Sequence, residues 1–548
     1  MREKVIIYQI LTRLYGNRNT TRKENGTIEE NGCGKMNDLS TAVLRRIRSF
    51  GVTHVWYTGI LRHATQTDYT QYGIPSQHPA VVKGRAGSPY AICDYYDIDP
   101  DLAVDVSKRM EELEKLVERT HKAGLKVIID FVPNHVARQY KSICKPSGVK
   151  DLGEEDDPQK GFSPQNNFYY CPGQRFSPYF DLYHGRKDPY IEEPAKATGN
   201  DCFHNAPGQN DWYETVKLNY GVDYYGGKVG YFDPVPSTWK KMLDILLFWA
   251  AKGIDAFRCD MAEMVPAEFW SWATQQVKKK YNNILFIGEV YNPAEYRRYI
   301  ASGFDYLYDK VGMYDTIRDV IRGNRSTHDI SHAWQHVDDI RHHMLYFLEN
   351  HDEQRIASDF FAADGLKAVP ALVTLALLEQ NPLMIYAGQE YGERGMDKEG
   401  FSGNDGRTTI FDYWSVDTLV RASARKLTQN EKLLFSYYKL VLYIATHSEA
   451  VSGGQMFDLM YANQHLHRQY AFLRKKGSER LLVVANFEHH PVEIDLYIPA
   501  HAFDYMKLRR SKVSAQDMFS GETMQIMLKE DSPIHLSIES DTALVLDL

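Results

Sequence analysis

Short runs of continuous apolar residues recur along the chain, separated by stretches in which apolar positions return every three or four residues. The runs are Val5 to Ile10, Val52 to Tyr57, Lys126 to Phe131, Ile254 to Phe257, Ile284 to Gly288, Phe304 to Tyr308, Met344 to Leu348 and Pro382 to Tyr386. Their length and lack of alternation predict strands buried on both faces, as in a parallel sheet. Between them the spacing predicts helices over Leu39 to Phe50, Asp105 to Ala123, Trp239 to Ala251, Pro266 to Lys280, Ala294 to Ile300, His328 to Arg341 and Leu366 to Leu378. In the first, Leu39, Val43, Leu44, Ile47 and Phe50 share a face and Gly51 stops the helix. In the second, Met110, Leu113, Leu116 and Val117 form the stripe and Gly124 ends it. Eight strands alternating with helices predict an α/β fold, the (β/α)8 or TIM barrel, closed by a further helix over Gln429 to Ala445. An open doubly wound sheet also alternates in this way, but no GxGxxG follows an early strand.

Two regions break the alternation. From His135 to about Pro236 the chain is rich in Pro, Gly, Asn, Tyr and Phe without sustained periodicity. A stretch of about 100 residues is too long for a structureless loop, so it predicts a small domain inserted after the third strand. Beyond about Ser452 come short alternating segments, among them Gln469 to Leu473, Arg480 to Ala485, Val492 to Leu496 and Ala543 to Leu546, which predict a C-terminal all-β sandwich. The expected division is barrel over 1–135 and 237–450, insertion over 136–236 and sandwich over 451–548.

Composition narrows the function classes. The 548 residues are 43% hydrophobic and 25% charged, ample for a large core, and the formal net charge of -8 with dispersed basic residues argues against a nucleic-acid or membrane-surface binder. No window reaches the roughly 18 apolar residues of a membrane span. The opening MREKVIIYQIL has too short an apolar run for a secretory signal and reads as the first core strand. Six cysteines without a CxxC pair suggest reduced thiols, so residence in the cytoplasm is the expectation.

In a barrel of this type the loops after all eight strands converge on one mouth. Four strand ends deliver polar groups there: Asp130, Asn134 and His135 after the third, Arg258 and Asp260 after the fourth, Glu289 after the fifth, and Asn350, His351 and Asp352 after the seventh. Without a GxSxG turn or a cysteine nucleophile, the cluster fits chemistry run by carboxylates, with glycoside hydrolysis foremost. Residues two apart on a strand share a face, so Arg258 can hold Asp260 ionised while a neighbouring acid keeps its proton. A zinc or magnesium site would use the same residue types, but HExxH and related spacings are absent.

DFVPNH (Asp130 to His135), GIDAFRCD (Gly253 to Asp260), IGEVY (Ile287 to Tyr291) and ENHDEQR (Glu349 to Arg355) resemble the four signature regions of the α-amylase family of retaining glycoside hydrolases, in that family's order. GVTHVWYTGI, SPYAICDYYDIDP, VKLNY and PLMIYAGQEYGE extend the resemblance over essentially the whole chain, with the insertion and sandwich matching the family's domains B and C. The resemblance implies that Asp260 is the nucleophile, Glu289 the general acid and base, and Asp352 the carboxylate that grips sugar hydroxyls and stabilises the transition state. It further implies that Arg258 pins Asp260, that His135 and His351 bind the sugar in the cleavage subsite, and that Tyr90 stacks under it. Asp130 reads as structural, bonding near Arg258.

The sequence departs from the family pattern at three places. Many members hold a structural calcium using the asparagine that matches Asn134 and an aspartate of domain B, where this chain has Lys217. An ammonium there supplies the positive charge and repels calcium, so no cofactor is expected to be required. Met261 to Met264 replace a Lys-His pair that serves the leaving-side sugar, and Gly59 stands where proline is common. A cation in the Asn- and Glu-rich loop Gly16 to Asn37 is weighed against a plain solvated loop, which its composition favours. The expected activity is cleavage of α-1,4-glucosidic bonds in starch- or glycogen-derived glucans or maltooligosaccharides. The alternatives are a 4-α-glucanotransferase, an α-1,6- or α-glucosidase, or, more distantly, a non-catalytic amylase-like binding subunit.

Overall fold

The computed structural model describes residues 4–397, 399 and 403–548, so Met1 to Glu3 of the expected first strand lie outside the described residues. Eight parallel strands close into a barrel: β1 (Ile6–Leu11), β2 (His54–Thr58), β3 (Lys126–Phe131), β4 (Ala256–Cys259), β5 (Leu285–Gly288), β6 (Tyr306–Tyr308), β7 (Met344–Phe347) and β8 (Leu383–Tyr386). Each pairs with its neighbours in chain order and β8 closes on β1, Ile6 opposite Leu383. The strands are largely apolar because both faces are covered, the inner by side chains from across the barrel and the outer by the helices.

Among the barrel strands the fourth shifts at both ends from its expected bounds; it runs to Cys259 and so contains Arg258. The helix Ser237–Ala251 ends in a turn with Gly253 at φ +86°, a backbone region that glycine enters without strain. Asp255 then accepts from Val127 N–H at 2.8 Å and pins the edge of β3 before the ladder proper begins. In the β3–β4–β5 register, Arg258 lies opposite both Asp130 and Ile287. The ladder continues past the strand ends, with Asp260 N–H on Phe131 O (2.9 Å) and Glu289 N–H on Cys259 O (3.1 Å). Asp260 and Glu289 therefore emerge side by side at the same level.

The helix expected over His328 to Arg341 stops at His336, and the one expected from Asp105 starts as a 3-10 turn before Arg109–Lys122. The segment between β2 and that helix contains an antiparallel pair, Leu61–His63 with Ile92–Ile98, which periodicity did not reveal because its first strand is only three residues long. This pair carries Tyr90 to the barrel mouth.

Residues 135–236 hold little regular structure: His135–Ala137 pairs with Thr215–Lys217, Tyr170–Cys171 with Ala195–Lys196, and Val222–Asp223 with Val229–Gly230. Its own small core includes Cys171, Phe176, Tyr190 and Ala195. A buried Arg138–Glu192 pair at 2.7 Å, with the guanidinium 4.1 Å from the Phe176 ring, ties it together.

The C-terminal part is all antiparallel, a six-stranded sheet and a two-stranded one. Strand Pro533–Ile538 alternates exposed and buried residues along its length, the mark of a sheet with one wet face. Arg474, fully buried in the strand Gln469–Lys476, joins this part to the barrel. It donates to Leu378 O just beyond the barrel helix Val369–Leu377 and to Ala450, Val451 and Gly454 carbonyls. Among the described residues no helix is long and apolar enough to cross a membrane.

Candidate active site

A cleft of about 500 Å³ opens at the C-terminal ends of the barrel strands, lined by Tyr90, His135, Asp260, Glu289 and Asp352 among others. Its floor is organised by Arg258, only 1% exposed. One terminal nitrogen donates to Asp260 Oδ1 at 2.7 Å, the other lies 2.9 Å from Glu289 Oε2, and Nε donates to the Tyr308 hydroxyl at 3.2 Å. The guanidinium also faces the Trp56 ring at 5.1 Å. Such a fork, planar and always charged, fixes both carboxylates in orientation as well as in charge. Asp260 Oδ2 has no hydrogen-bond partner among the described residues, which leaves one oxygen of this carboxyl uncommitted.

Besides its ion pair with Arg258, Glu289 accepts two hydrogen bonds, from Met261 N–H at Oε2 (2.8 Å) and from the Tyr291 hydroxyl at Oε1 (2.7 Å). Met261 reaches it because its backbone is left-handed, φ +43°, a conformation costly for a residue with a side chain. Asp130 accepts from Trp56 Nε1 at 3.1 Å and Gly59 N–H at 3.3 Å, and lies 3.6 Å from Arg258. Its contacts secure the end of β2 beneath the site.

His351 receives the Gln9 amide at Nδ1 (2.8 Å), which leaves Nε2 as the protonated nitrogen. Nε2 lies 2.5 Å from the Tyr90 hydroxyl and 3.1 Å from Asp352 Oδ2. The Tyr90 and His351 rings stack at 5.2 Å, which holds the Tyr90 ring in the cleft wall. Asp352 opens to the cleft, and its backbone carbonyl accepts from Arg407 Nε at 2.7 Å. His135 packs against Trp212, ring centroids 5.2 Å apart. Asn134 sits behind it, bonded through Oδ1 to Lys217 Nζ at 2.7 Å and through Nδ2 to Gly199 O at 2.8 Å.

Several acids crowd round a single buried guanidinium, and the protonation of the site follows from that. Burial pushes Asp130 up to about 6 against the pull of Arg258. Asp352, whose side chain stays 41% exposed to the cleft, is pushed upward by desolvation and then by the charge of Glu289. Asp260 is driven upward by burial, opposed by Arg258, and driven up again by Glu289, Asp130 and Asp352. Near neutrality the cluster thus retains protons that belong to the group as a whole. Both histidines are held neutral, His135 pushed down to about 3 by burial and His351 well below its ordinary value by burial and Arg258. Acid-assisted displacement at an acetal carbon requires one ionised and one protonated carboxyl, and a carboxyl cluster that shares protons is the type of site that supplies both.

The structure brings together Tyr90, His135, Arg258, Asp260, Glu289, His351 and Asp352, whereas Asn134 lies behind the cleft wall, bonded to Lys217. Sequence reasoning missed Gln9, whose amide orients His351 from β1, and the pair Lys83–Glu214 at 3.1 Å on the cleft's insertion side. It also missed Trp212 in the wall and the Glu353–Lys310 pair at 3.6 Å. Glu353 carried a signal, since it directly follows Asp352; Lys83 and Glu214 carried none, being 131 residues apart in regions without periodicity.

Residues 20–433 match the family model of the alpha-amylase catalytic domain. The chain is 22% identical over 474 residues to Alpha-amylase 3 of Dictyoglomus thermophilum, covering 80% of this chain and 82% of that protein. It is 22% identical over 461 residues to a cyclomaltodextrinase of Geobacillus thermopakistaniensis, covering 83% of this chain and 62% of that protein. Among solved structures, an alpha-amylase from Geobacillus thermoleovorans complexed with acarbose superposes with a TM-score of 0.64 at 18% identity, over 100% of this chain and 99% of that one. With its barrel, its clustered strand-end carboxylates and a family match spanning most of its length, the chain belongs to the α-amylase family of glycoside hydrolases.

Proposed function

We propose that the protein hydrolyses α-1,4-glucosidic bonds of starch- or glycogen-derived glucans or maltooligosaccharides with retention of configuration. The observation that carries this is Arg258 gripping Asp260 and Glu289 with neighbouring nitrogens at 2.7 and 2.9 Å. Carboxyls sharing one guanidinium are separated by about the width of that group. This favours direct attack over the wider gap, about 6.5–9.5 Å, that admits a water between substrate and base. Asp260 attacks the anomeric carbon through its uncommitted Oδ2 while Glu289 gives its proton to the leaving oxygen. Glu289 then takes a proton from the water that opens the glycosyl-enzyme ester. Asp352, reached by His351 Nε2, binds sugar hydroxyls, and Tyr90 offers its face to the ring. The likeness to amylases, one of them solved with acarbose, supports an α-glucan or oligosaccharide substrate.

The residues at the expected calcium position do not fit that ion. Lys217 Nζ bonds Asn134 Oδ1 at 2.7 Å and Asp201 Oδ1 at 2.6 Å, so an ammonium already satisfies the oxygens a cation would take. The proposed enzyme therefore needs no structural metal. The division at 135/136, 236/237 and 450/451 into barrel, insertion and sandwich is part of the same proposal. So is residence in the cytoplasm, supported by six cysteines that all remain unpaired thiols.

Asp260→Asn is expected to lower turnover of maltoheptaose on the order of 10³-fold or more, with an unchanged melting curve. Wild-type rates in that variant would overturn the mechanism. Products longer than the substrate from maltotriose would place transfer above hydrolysis.

A further inference from the structure

After β4 the chain turns through Met261 to Met264, and Glu263 stands in that turn. Its Oε2 accepts from the backbone N–H of Tyr291 at 3.2 Å and of Asn292 at 3.0 Å. These residues follow Glu289 after β5. The turn that carries Glu263 is itself anchored, since the Tyr299 hydroxyl donates to Glu263 O at 3.0 Å and Val265 O at 2.9 Å. Glu263 therefore staples the β5 loop to the β4 turn, and the stapled loop aims the Tyr291 hydroxyl at Glu289 Oε1, 2.7 Å away.

The three partners of Glu289 are not equivalent. At Oε2 the Met261 N–H donates and the Arg258 cation lies 2.9 Å away; neither can accept a proton, so that oxygen is suited to lone pairs alone. The Tyr291 hydroxyl at Oε1 can donate to a carboxylate or turn and accept from a carboxylic acid. We infer that Tyr291, held in place by Glu263, is a positioning residue that makes Oε1 the proton-carrying oxygen of Glu289 and keeps it facing the cleft in both halves of the reaction. This rests on Glu289 being the acid and base. Burial and the Glu289 and Asp352 charges push the Tyr291 hydroxyl well above its ordinary value, so it keeps its own proton and supplies none to the reaction.

The test uses two substrates that differ in their need for an acid: maltopentaose, whose sugar leaving group must be protonated, and α-maltosyl fluoride with azide present, which needs neither acid nor base. Glu289→Gln is the reference. Tyr291→Phe is expected to lose roughly tenfold or more in kcat on maltopentaose and less than about threefold on the fluoride. Glu263→Ala is expected to show the same skew, and Glu263→Gln, which keeps a carbonyl acceptor for the two N–H groups, to recover part of it. Equal losses on both substrates, or none, in Tyr291→Phe would overturn the positioning role while Glu289→Gln still shows the skew. An equal loss on both substrates in Glu289→Gln would overturn the role of Glu289 itself, and the positioning with it.

Discussion

Arg258 shows how one residue can oppose its own surroundings. Burial of the cluster drives the Asp260 carboxyl upward, and the Arg258 charge beside it pulls the other way. The burial effect can be measured away from catalysis at Glu390, in the turn after β8, where the carboxyl is 3% exposed and bonded to the Tyr8 hydroxyl at 2.6 Å and Gly388 N–H at 2.9 Å. Burial pushes it from 4.5 up to about 7. Between these values the folded chain holds a proton that the unfolded chain has released, so this group's contribution to stability is full below about pH 4.5 and is lost as pH rises through about 7. Glutamine has no such proton. The stability of Glu390→Gln relative to wild type is expected to improve by up to about 3 kcal/mol between pH 4.5 and pH 8, levelling off above 7. Urea unfolding at several pH values reads this directly, and a gap independent of pH would refute it.

At the scale of elements, the contact between the insertion and the barrel depends on Lys217. Its strand Thr215–Lys217 pairs with His135–Ala137, and its ammonium, 2% exposed, lies between Asn134 and Asp201. Burial lowers its pKa and Asp201 raises it, the balance of a cation retained by its partner. Lys217→Met leaves Asn134 Oδ1 and Asp201 without a cation, at an expected cost of about 2 kcal/mol, smaller than for a fully buried pair because Asp201 is a third exposed. On the proposal that this ammonium does the work of a metal, EDTA is expected to leave the wild-type melting temperature and activity unchanged. A fall in either on chelation would show that a metal contributes after all.

For the whole molecule, Arg474 bonds four carbonyls from two separate stretches of chain, Leu378 after a barrel helix and the other three in and just after the helix Glu449–Gly453. Arg474→Met would leave those buried carbonyls and the nearby Glu379 without their donor, so a loss of about 3 kcal/mol or more is expected in urea unfolding. An unchanged midpoint would mean that the two parts are held together elsewhere, as by Thr327 bonding Leu466 O and Gln469 O.

All eight barrel strands were legible from the sequence to within two residues, because a strand buried on both faces must be written as a continuous apolar run bounded by polar turns. The ends of those runs also exposed Asp260, Glu289 and Asp352, since charged residues interrupting buried strands stand out. What the sequence could not hold was which side chains meet. Tyr90 and His351 are 261 positions apart and Gln9 and His351 are 342 apart; only barrel closure brings them within hydrogen-bonding distance. The left-handed Met261 was likewise invisible, since nothing in a methionine's chemistry announces that backbone. Local periodicity by itself determined the strands, their order and the residues at their tips. The register between strands and the long-range hydrogen bonds, which depend on distances across the barrel, decided that Arg258 would hold Asp260 and Glu289 together, and that Lys217 would bond Asn134 where a metal was conceivable.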